Sequence, residues 1–145
     1  MFKKLLLPTD GSAASEVAVR KALDLARDSN AKVIGLHVVQ PLHVFSSNVE
    51  MVEDTRATYE THSEAHAKAC LAVIDKAARE MGVACETSVV RADHPYEAII
   101  QSAEQRGCDL IVMASHGRRG MQALLLGSET QKVLTHCKVP VLVLR

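Results

Sequence analysis

The chain has very few aromatic side chains and no excess of charge of either sign. It contains no Trp, two Phe and two Tyr, and its 17 basic side chains balance 17 acidic ones. Proteins that bind single-stranded nucleic acids stack bases on aromatic rings, and they attract phosphates with a basic surface. The composition therefore argues against nucleic-acid binding, and the shortage of aromatic rings also argues against a stacked flavin.

The sequence also lacks paired cysteines and long hydrophobic runs. None of its four cysteines forms a CxxC pair, so neither a zinc ribbon nor a thioredoxin-like motif is predicted. The N-terminal apolar run ends after Leu5, Leu6 and Leu7, which is shorter than a secretory signal requires. No stretch reaches the roughly 18 apolar residues of a membrane span. We therefore expect reduced thiols, no membrane association and a cytoplasmic location.

Apolar runs and helical patterns alternate regularly along the chain, whose length fits a single domain over residues 1–145. Five apolar runs predict strands, and segments with apolar residues spaced by three and four predict helices between them. This alternation predicts an α/β, Rossmann-like fold: a five-stranded parallel sheet with helices on both faces. The predicted strands are 2–8, 32–39, 83–91, 109–115 and 139–145, and the predicted helices are 12–28, 54–81, 95–106 and 128–136.

The first candidate site segment follows the first predicted strand. In parallel sheets, ligands bind beyond the carboxyl ends of the strands, where the strand order reverses. Gly11 permits a tight turn there, and Ser12 can cap the following helix. The carboxylate of Asp10 can accept hydrogen bonds from a ribose or a base, or help to hold a divalent cation. Alternatively, it interacts with the unpaired N–H groups of the next helix.

The second candidate segment follows the fourth predicted strand, where two glycine-containing loops lead into a helix. Backbone N–H groups at a helix start, unobstructed at Gly127, form a phosphate site. The hydroxyls of Ser128 and Thr130 can add donors. The alternative is a capping box, because residues 128–131 read S-x-x-Q and would satisfy the same N–H groups. Neither a P-loop nor a G-x-G-x-x-G motif is present.

Several segments together carry one resemblance that covers the whole chain. They are Pro8–Ser12, Leu36–Val39, Asp109–Met113, Ser115–Gly117 with Gly127–Ser128, and Val139–Val143. In this combination the chain resembles the universal stress protein family, whose domains are three-layer sandwiches like those of the adenine nucleotide alpha hydrolases. ATP-binding members carry G-x-x-G, nine residues, then G-S or G-T. Here Ala114 replaces the first glycine, whereas Gly117, Gly127 and Ser128 match.

The resemblance implies a cytoplasmic, dimeric regulator or nucleotide sensor that binds ATP, with any Mg²⁺ carried by the nucleotide. The methyl group of Ala114 is compatible with this if the backbone there is extended. By this resemblance, the adenine and ribose pocket is lined by Pro8, Thr9, Asp10 and Val39; the ribose and phosphates are flanked by Met113, Ala114, His116 and Gly117; and the phosphates are held by Gly127, Ser128, Glu129 and Thr130.

Two other functions remain open on the sequence. One is a stress protein that binds no nucleotide and acts through protein–protein contacts, for example along the predicted 54–81 helix. The other is a slow ATPase that depends on Mg²⁺ and Asp10. The sequence offers no evident general base, and His116 is predicted to order its loop rather than to catalyse, so no catalytic residue is assigned.

No metal site is predicted, although His62, His66 and Cys70 follow one another at intervals of four residues. On a helix the first and last lie roughly 12 Å apart, so one ion cannot bind all three. Each neighbouring pair can offer two ligands. The H-S-E-A-H order also differs from the H-E-x-x-H motif of zinc proteases, and His62 is predicted to face solvent.

The last predicted strand is strongly apolar, and Pro140 within it lacks a backbone donor, which favours an edge position. An exposed apolar edge favours pairing with a second chain. We therefore predict a twofold, antiparallel homodimer interface through Val139, Val141 and Val143, in agreement with the family resemblance. The alternative is that the terminal helix covers this edge.

Overall fold

The computed structural model describes residues 1–43, 49–116 and 125–145, in which five strands and four helices alternate in the predicted order. None of the helices in these ranges has both the length and the hydropathy of a membrane span. The strands are β1 (Lys4–Pro8), β2 (Lys32–Val39), β3 (Cys85–Arg91), β4 (Leu110–Ala114) and β5 (Val141–Leu144), and the helices are α1 (Ala13–Ser29), α2 (Val49–Met81), α3 (Pro95–Gln105) and α4 (Ser128–His136).

Two element boundaries differ clearly from the prediction. Helix α2 begins at Val49 rather than at residue 54. The side chains of residues 53–58 are exposed, so no core-facing periodicity marks this part of the helix. Strand β5 begins at Val141, because Val139 precedes a proline and a proline has no N–H for the ladder.

The five strands form one parallel sheet, as predicted, and the structure gives their order as β3-β2-β1-β4-β5. From β1 the chain first builds outward through β2 and β3, and then returns to add β4 and β5 on the other side. The strand order therefore reverses between β1 and β4. The connections that leave the carboxyl ends of these two strands diverge and open a crevice between them.

The sheet is covered on both faces, which explains the continuous leucine run of β1. Leu5 and Leu7 belong to a core shared with α1 and α2, whereas Leu6 belongs to the opposite core with α3 and α4. All three leucines are fully buried. Successive side chains of β1 therefore point into two different apolar cores, and not alternately into a core and into solvent.

Helix α2 approaches the sheet closely at Gly35 of β2. A Cβ atom built at Gly35 would lie 3.0 Å from Cδ1 of Ile74, which is tighter than normal packing. The missing side chain therefore allows Ile74 to rest directly on the strand. Cys70 lies one turn before Ile74 on the same helix, and His66 lies two turns before it. The close approach of α2 therefore brings both side chains near the turn that follows β1.

At the amino ends of the strands, the side chain of Asp109 links the starts of β1 and β4. Its carboxylate accepts hydrogen bonds from the N–H of Lys3 at 2.8 Å and of Lys4 at 3.0 Å. Partial burial acts to raise the pKa of Asp109. The backbone donors from Lys4 and Lys3 outweigh it, so that the pKa lies below its usual value.

We expect Asp109→Asn to lower the stability at about pH 7 and to flatten its dependence on acid. The folded-state pKa lies below the unfolded-state value, so the carboxylate stabilises the fold above about pH 4. That stabilisation is lost as the pH falls through the folded-state pKa. The urea midpoint should therefore decrease more between about pH 7 and about pH 3 for the wild type than for the variant. Equal losses would show that the carboxylate contributes nothing.

Candidate functional site

The turn after β1 is held by Thr9. The N–H of Thr9 donates to Leu36 O at 2.9 Å, which continues the ladder with β2. Its hydroxyl lies 2.6 Å from Oγ of Ser15 and accepts the N–H of Gly11 at 3.2 Å. Thr9 is buried, and these contacts use its side chain to shape the turn. Its predicted contact with the nucleotide stays a prediction.

Asp10 lies half-buried beyond the carboxyl end of β1, two residues after Pro8. Its Oδ1 atom accepts the N–H of Ser12 at 2.9 Å. The hydroxyl of Ser12 in turn accepts the N–H of Ser15 at 3.1 Å and caps α1, as predicted. The carboxylate therefore engages the cap residue of the next helix, and its position is fixed at the mouth of the crevice.

The end of β2 forms the neighbouring wall. Pro8 pairs with Leu36, so β2 extends three residues beyond the end of β1, and Val39 is its last residue. Val39 is buried, and its carbonyl accepts the N–H of Ala92 at 3.0 Å. The residues predicted to line the adenine and ribose pocket therefore lie at the carboxyl ends of two adjacent strands, β1 and β2.

The start of α4 is tied to the end of β4. The N–H of Gly127 donates to Ser115 O at 2.7 Å, and the hydroxyl of Thr130 donates to Ala114 O at 3.0 Å. Met113, on β4, is buried. These contacts place the predicted phosphate-binding residues beside those predicted to flank the ribose. They also commit the Thr130 hydroxyl to β4, so that the backbone N–H is the donor Thr130 can offer.

His116 follows the end of β4 and is half-buried. Its Nδ1 atom lies 3.0 Å from Oγ of Ser115, a local contact that fits the predicted loop-ordering role. Gly117 lies outside the described residues, and its predicted contact with the nucleotide stays a prediction.

The capping box predicted as an alternative at α4 is wrong. Gly127 is the N-cap, with φ −58° and ψ 148°, and no side chain caps this helix. Ser128 is the first helical residue, and the Gln131 side chain donates to Leu126 O at 3.1 Å instead of reaching back to the cap. The N–H groups of residues 128–130 therefore have neither an intrahelical acceptor nor a side-chain cap within the part of the chain that the structure describes.

Glu129 uses its carboxylate on a different helix. Its Oε2 atom accepts the N–H of Tyr96, in the first turn of α3, at 2.9 Å, and its Oε1 atom lies 3.2 Å from Nζ of Lys132. His94, the N-cap of α3, makes no side-chain capping bond. Glu129 therefore satisfies a free N–H at the start of α3. Its possible contribution to phosphate binding is limited to its own backbone N–H.

Three side chains beneath the β1 turn were not predicted as a group. The Nδ1 atom of His37 lies 2.8 Å from Thr9 O, and the Nε2 atom of His66 lies 3.3 Å from Asp10 O. The Sγ atom of Cys70 lies 3.4 Å from Nε2 of His66. The spacing of His66 and Cys70 was visible in the sequence. The approach of His37 depends on how β2 packs against α2.

Comparison with known proteins extends over the entire chain. A sequence model of the Universal stress protein family matches residues 1–145. Universal stress protein MJ0531 of Methanocaldococcus jannaschii is 31% identical over 148 residues, which cover 100% of this chain and 83% of that protein.

Two solved structures of similar sequence share the fold. Protein MJ0577 of the same organism superposes with a TM-score of 0.85 at 31% identity, covering 99% of this chain and 96% of the other. A universal stress protein in complex with cAMP superposes with a TM-score of 0.73 at 28% identity, covering 99% and 97%.

Proposed function

The chain belongs to the universal stress protein family, and on that premise we propose that it binds ATP in the crevice between β1 and β4. The start of α4 carries the proposal. Three consecutive backbone N–H groups there have neither an intrahelical acceptor nor, among the described residues, a side-chain cap, and Gly127 places no side chain before them. Such a helix start attracts phosphate through its N–H groups and its dipole. The bond from Gly127 to Ser115 holds it at the end of β4.

The proposed adenine and ribose subsite lies between the ends of β1 and β2. There the half-buried carboxylate of Asp10 can accept a hydrogen bond from a ribose hydroxyl, and Val39 and Pro8 supply apolar surface. The relative solved with cAMP supports an adenine nucleotide as the ligand class. In our proposal any Mg²⁺ arrives with the nucleotide, and the carboxylate of Asp10 can help to hold it.

Replacement of the first motif glycine by Ala114 is compatible with this proposal. Ala114 is the last residue of β4, where the backbone is extended, and alanine adopts that conformation without strain. Its carbonyl is used by the Thr130 hydroxyl, so it contributes to the position of α4. A methyl group adds bulk near the nucleotide but creates no charge.

We further propose that the protein acts in the cytoplasm as a dimeric regulator or nucleotide sensor in stress adaptation. Strand β5 is an edge strand of the sheet. In the single chain, Val141 and Val143 on this strand are half-buried, and so is Val139 just before it. Leu142 is 37% exposed. Antiparallel pairing of β5 with its own copy would cover this apolar edge and continue the sheet.

We expect the purified chain to bind ATP saturably, with one nucleotide per chain. Mass spectrometry of protein purified without added ligand should detect a co-purified adenine nucleotide. Calorimetric titration should then give a dissociation constant on the order of micromolar for ATP, near −8 kcal/mol. Titrations with AMP and with tripolyphosphate separate the contributions of the adenosine and the phosphates.

Binding that is absent at millimolar ATP would contradict the proposal and favour a protein that acts through protein–protein contacts alone. Mg²⁺-dependent release of phosphate, abolished by Asp10→Asn, would instead identify a slow ATPase at the same site.

A further inference from the structure

One cluster of metal-ligating side chains lies below the turn after β1. His37 comes from β2, and His66 and Cys70 come from α2; one ligand atom of each lies within 4.8 Å of the others. His37 and Cys70 are buried, and His66 is half-buried. The two imidazole rings meet edge to face with their centroids 5.3 Å apart. Buried groupings of two imidazoles and a thiol are typical of transition-metal sites in proteins.

The hydrogen bonds of both rings favour metal binding at the other ring nitrogen. Thr9 O is an acceptor only, so the Nδ1 atom of His37 carries the proton and the Nε2 atom has the lone pair. Asp10 O likewise accepts a hydrogen bond from the Nε2–H of His66, so that the lone pair of this ring is on Nδ1. Metal-binding histidines usually donate their second N–H to a backbone carbonyl or carboxylate, which orients the ring.

The separation of the Cys70 and His66 donors fits a tetrahedral ion after a small side-chain movement. The Sγ atom of Cys70 lies 3.9 Å from Nδ1 of His66. Zinc bonds of about 2.3 Å to sulfur and about 2.0 Å to nitrogen imply a ligand–ligand separation of about 3.5 Å. A shift of a few tenths of an ångström therefore brings these two atoms to the separation that a bound ion requires. Small rotations about side-chain bonds provide that shift.

The His66 and Cys70 side of the cluster borders a cavity of about 150 Å³ that can admit an ion. His66, Cys70 and Glu16 are among the residues that line it. This volume has room for a metal ion and for a water molecule as a fourth ligand. With one thiolate and two neutral imidazoles, a divalent ion leaves a net charge of +1, which the carboxylate of Glu16 partly offsets.

We propose that His37, His66 and Cys70 bind a Zn²⁺ ion that fastens α2 to the turn after β1. The thiol of Cys70 loses its proton to solvent, its sulfur forms a bond to the ion, and the two imidazoles bind as neutral ligands. Thiolate and imidazole donors select zinc over Mg²⁺, which prefers oxygen ligands. This site is therefore separate in chemistry from any Mg²⁺ that arrives with a nucleotide, and it does not depend on nucleotide binding.

The test uses Zn²⁺ and Co²⁺ as probes on the full chain. We expect one equivalent of Zn²⁺ to bind in competition with a chromogenic chelator, and to raise Tm. Co²⁺ should give a thiolate-to-cobalt charge-transfer band and the visible bands of a tetrahedral ion. Cys70→Ser should remove the charge-transfer band and weaken Zn²⁺ binding more than about 100-fold, since even outer-shell partners are worth about 10- to 100-fold.

Matched controls come from the same helix and from the other thiols. His62, one turn before His66 on α2, is exposed, so His62→Ala should leave binding unchanged. Burial raises the pKa of the Cys85 thiol, which disfavours a competing thiolate there. The variant with Cys85→Ser, Cys108→Ser and Cys137→Ser keeps Cys70 as its one thiol and should keep the band, which assigns the band independently if Cys70→Ser fails to fold. A wild-type chain without the band, a band that survives in folded Cys70→Ser, or a band lost in the folded triple variant would overturn the proposal.

Discussion

Gly127→Asp is expected to weaken ATP binding by roughly 10- to 100-fold while slightly stabilising the fold. The carboxylate would cap the N–H groups of α4 and place a negative charge where we propose that phosphate binds. Loss of a charged hydrogen bond of about 1.5–3 kcal/mol corresponds to that factor. Gly127 already has φ −58° and ψ 148°, which suits an N-cap Asp. The replacement of glycine therefore adds no strain and restricts the unfolded chain.

Gly127→Asn is the matched control for this prediction. Asparagine has nearly the same shape and caps helices about as well, but it carries no charge. Calorimetric titration with ATP and thermal unfolding without ATP should show both variants at least as stable as the wild type, with Asp binding much more weakly than Asn. Equal binding by Asp and wild type would place the phosphates somewhere other than the start of α4.

Gly11→Ala is expected to destabilise the fold by about 2–4 kcal/mol. Gly11 has φ +78°, a left-handed conformation that strains any residue with a Cβ atom. The added Cβ would also lie 2.7 Å from Sγ of Cys70, so the Cys70 side chain, the β1 turn or α2 must shift. For a chain of this size the loss corresponds to a fall in Tm of roughly 5–15 °C, measurable by calorimetry or circular dichroism.

Gly107→Ala separates the backbone strain from the steric overlap. Gly107 has φ +63°, but no atom lies within 4 Å of a Cβ built there. Its replacement should therefore cost only the strain, about 1 kcal/mol. Adding Cys70→Ala to Gly11→Ala should recover part of the stability, because it removes the overlapping sulfur. If Gly11→Ala and Gly107→Ala were equally destabilising, the contact between the turn and α2 would be energetically unimportant.

The fold followed from the sequence because local patterns determine it. The apolar runs around Leu6 and Ile111 mark strands buried on both faces, and the spacing of apolar residues marks the helices between them. The early start of α2 at Val49 could not be predicted from a core-facing pattern, since the side chains of residues 53–58 are exposed.

The sequence indicated which segments follow the carboxyl ends of the strands, but not all of the side-chain contacts made there. The alternation of strands and helices and the positions of the glycines marked the segments after β1 and β4, because these are properties of the backbone. That these segments bind a nucleotide stays a prediction. The carboxylate of Glu129 accepts a hydrogen bond from the N–H of Tyr96, which lies 33 residues away in the chain. No local sequence motif can predict a contact over that separation. The meeting of His37 with Cys70 is similar, since it depends on the close approach of α2 to β2 at Gly35.

Titration of the ¹⁵N-labelled full chain with ATP, followed by amide NMR, tests the central claim most directly. We expect saturable shifts concentrated at the amides of Asp10 and Val39 on one side of the crevice, and of Ala114, Gly127 and Ser128 on the other. Tripolyphosphate alone should shift chiefly Gly127 and Ser128. An ATP titration that leaves these amides unmoved at millimolar nucleotide, or that shifts a surface away from the carboxyl ends of β1 and β4, would contradict it.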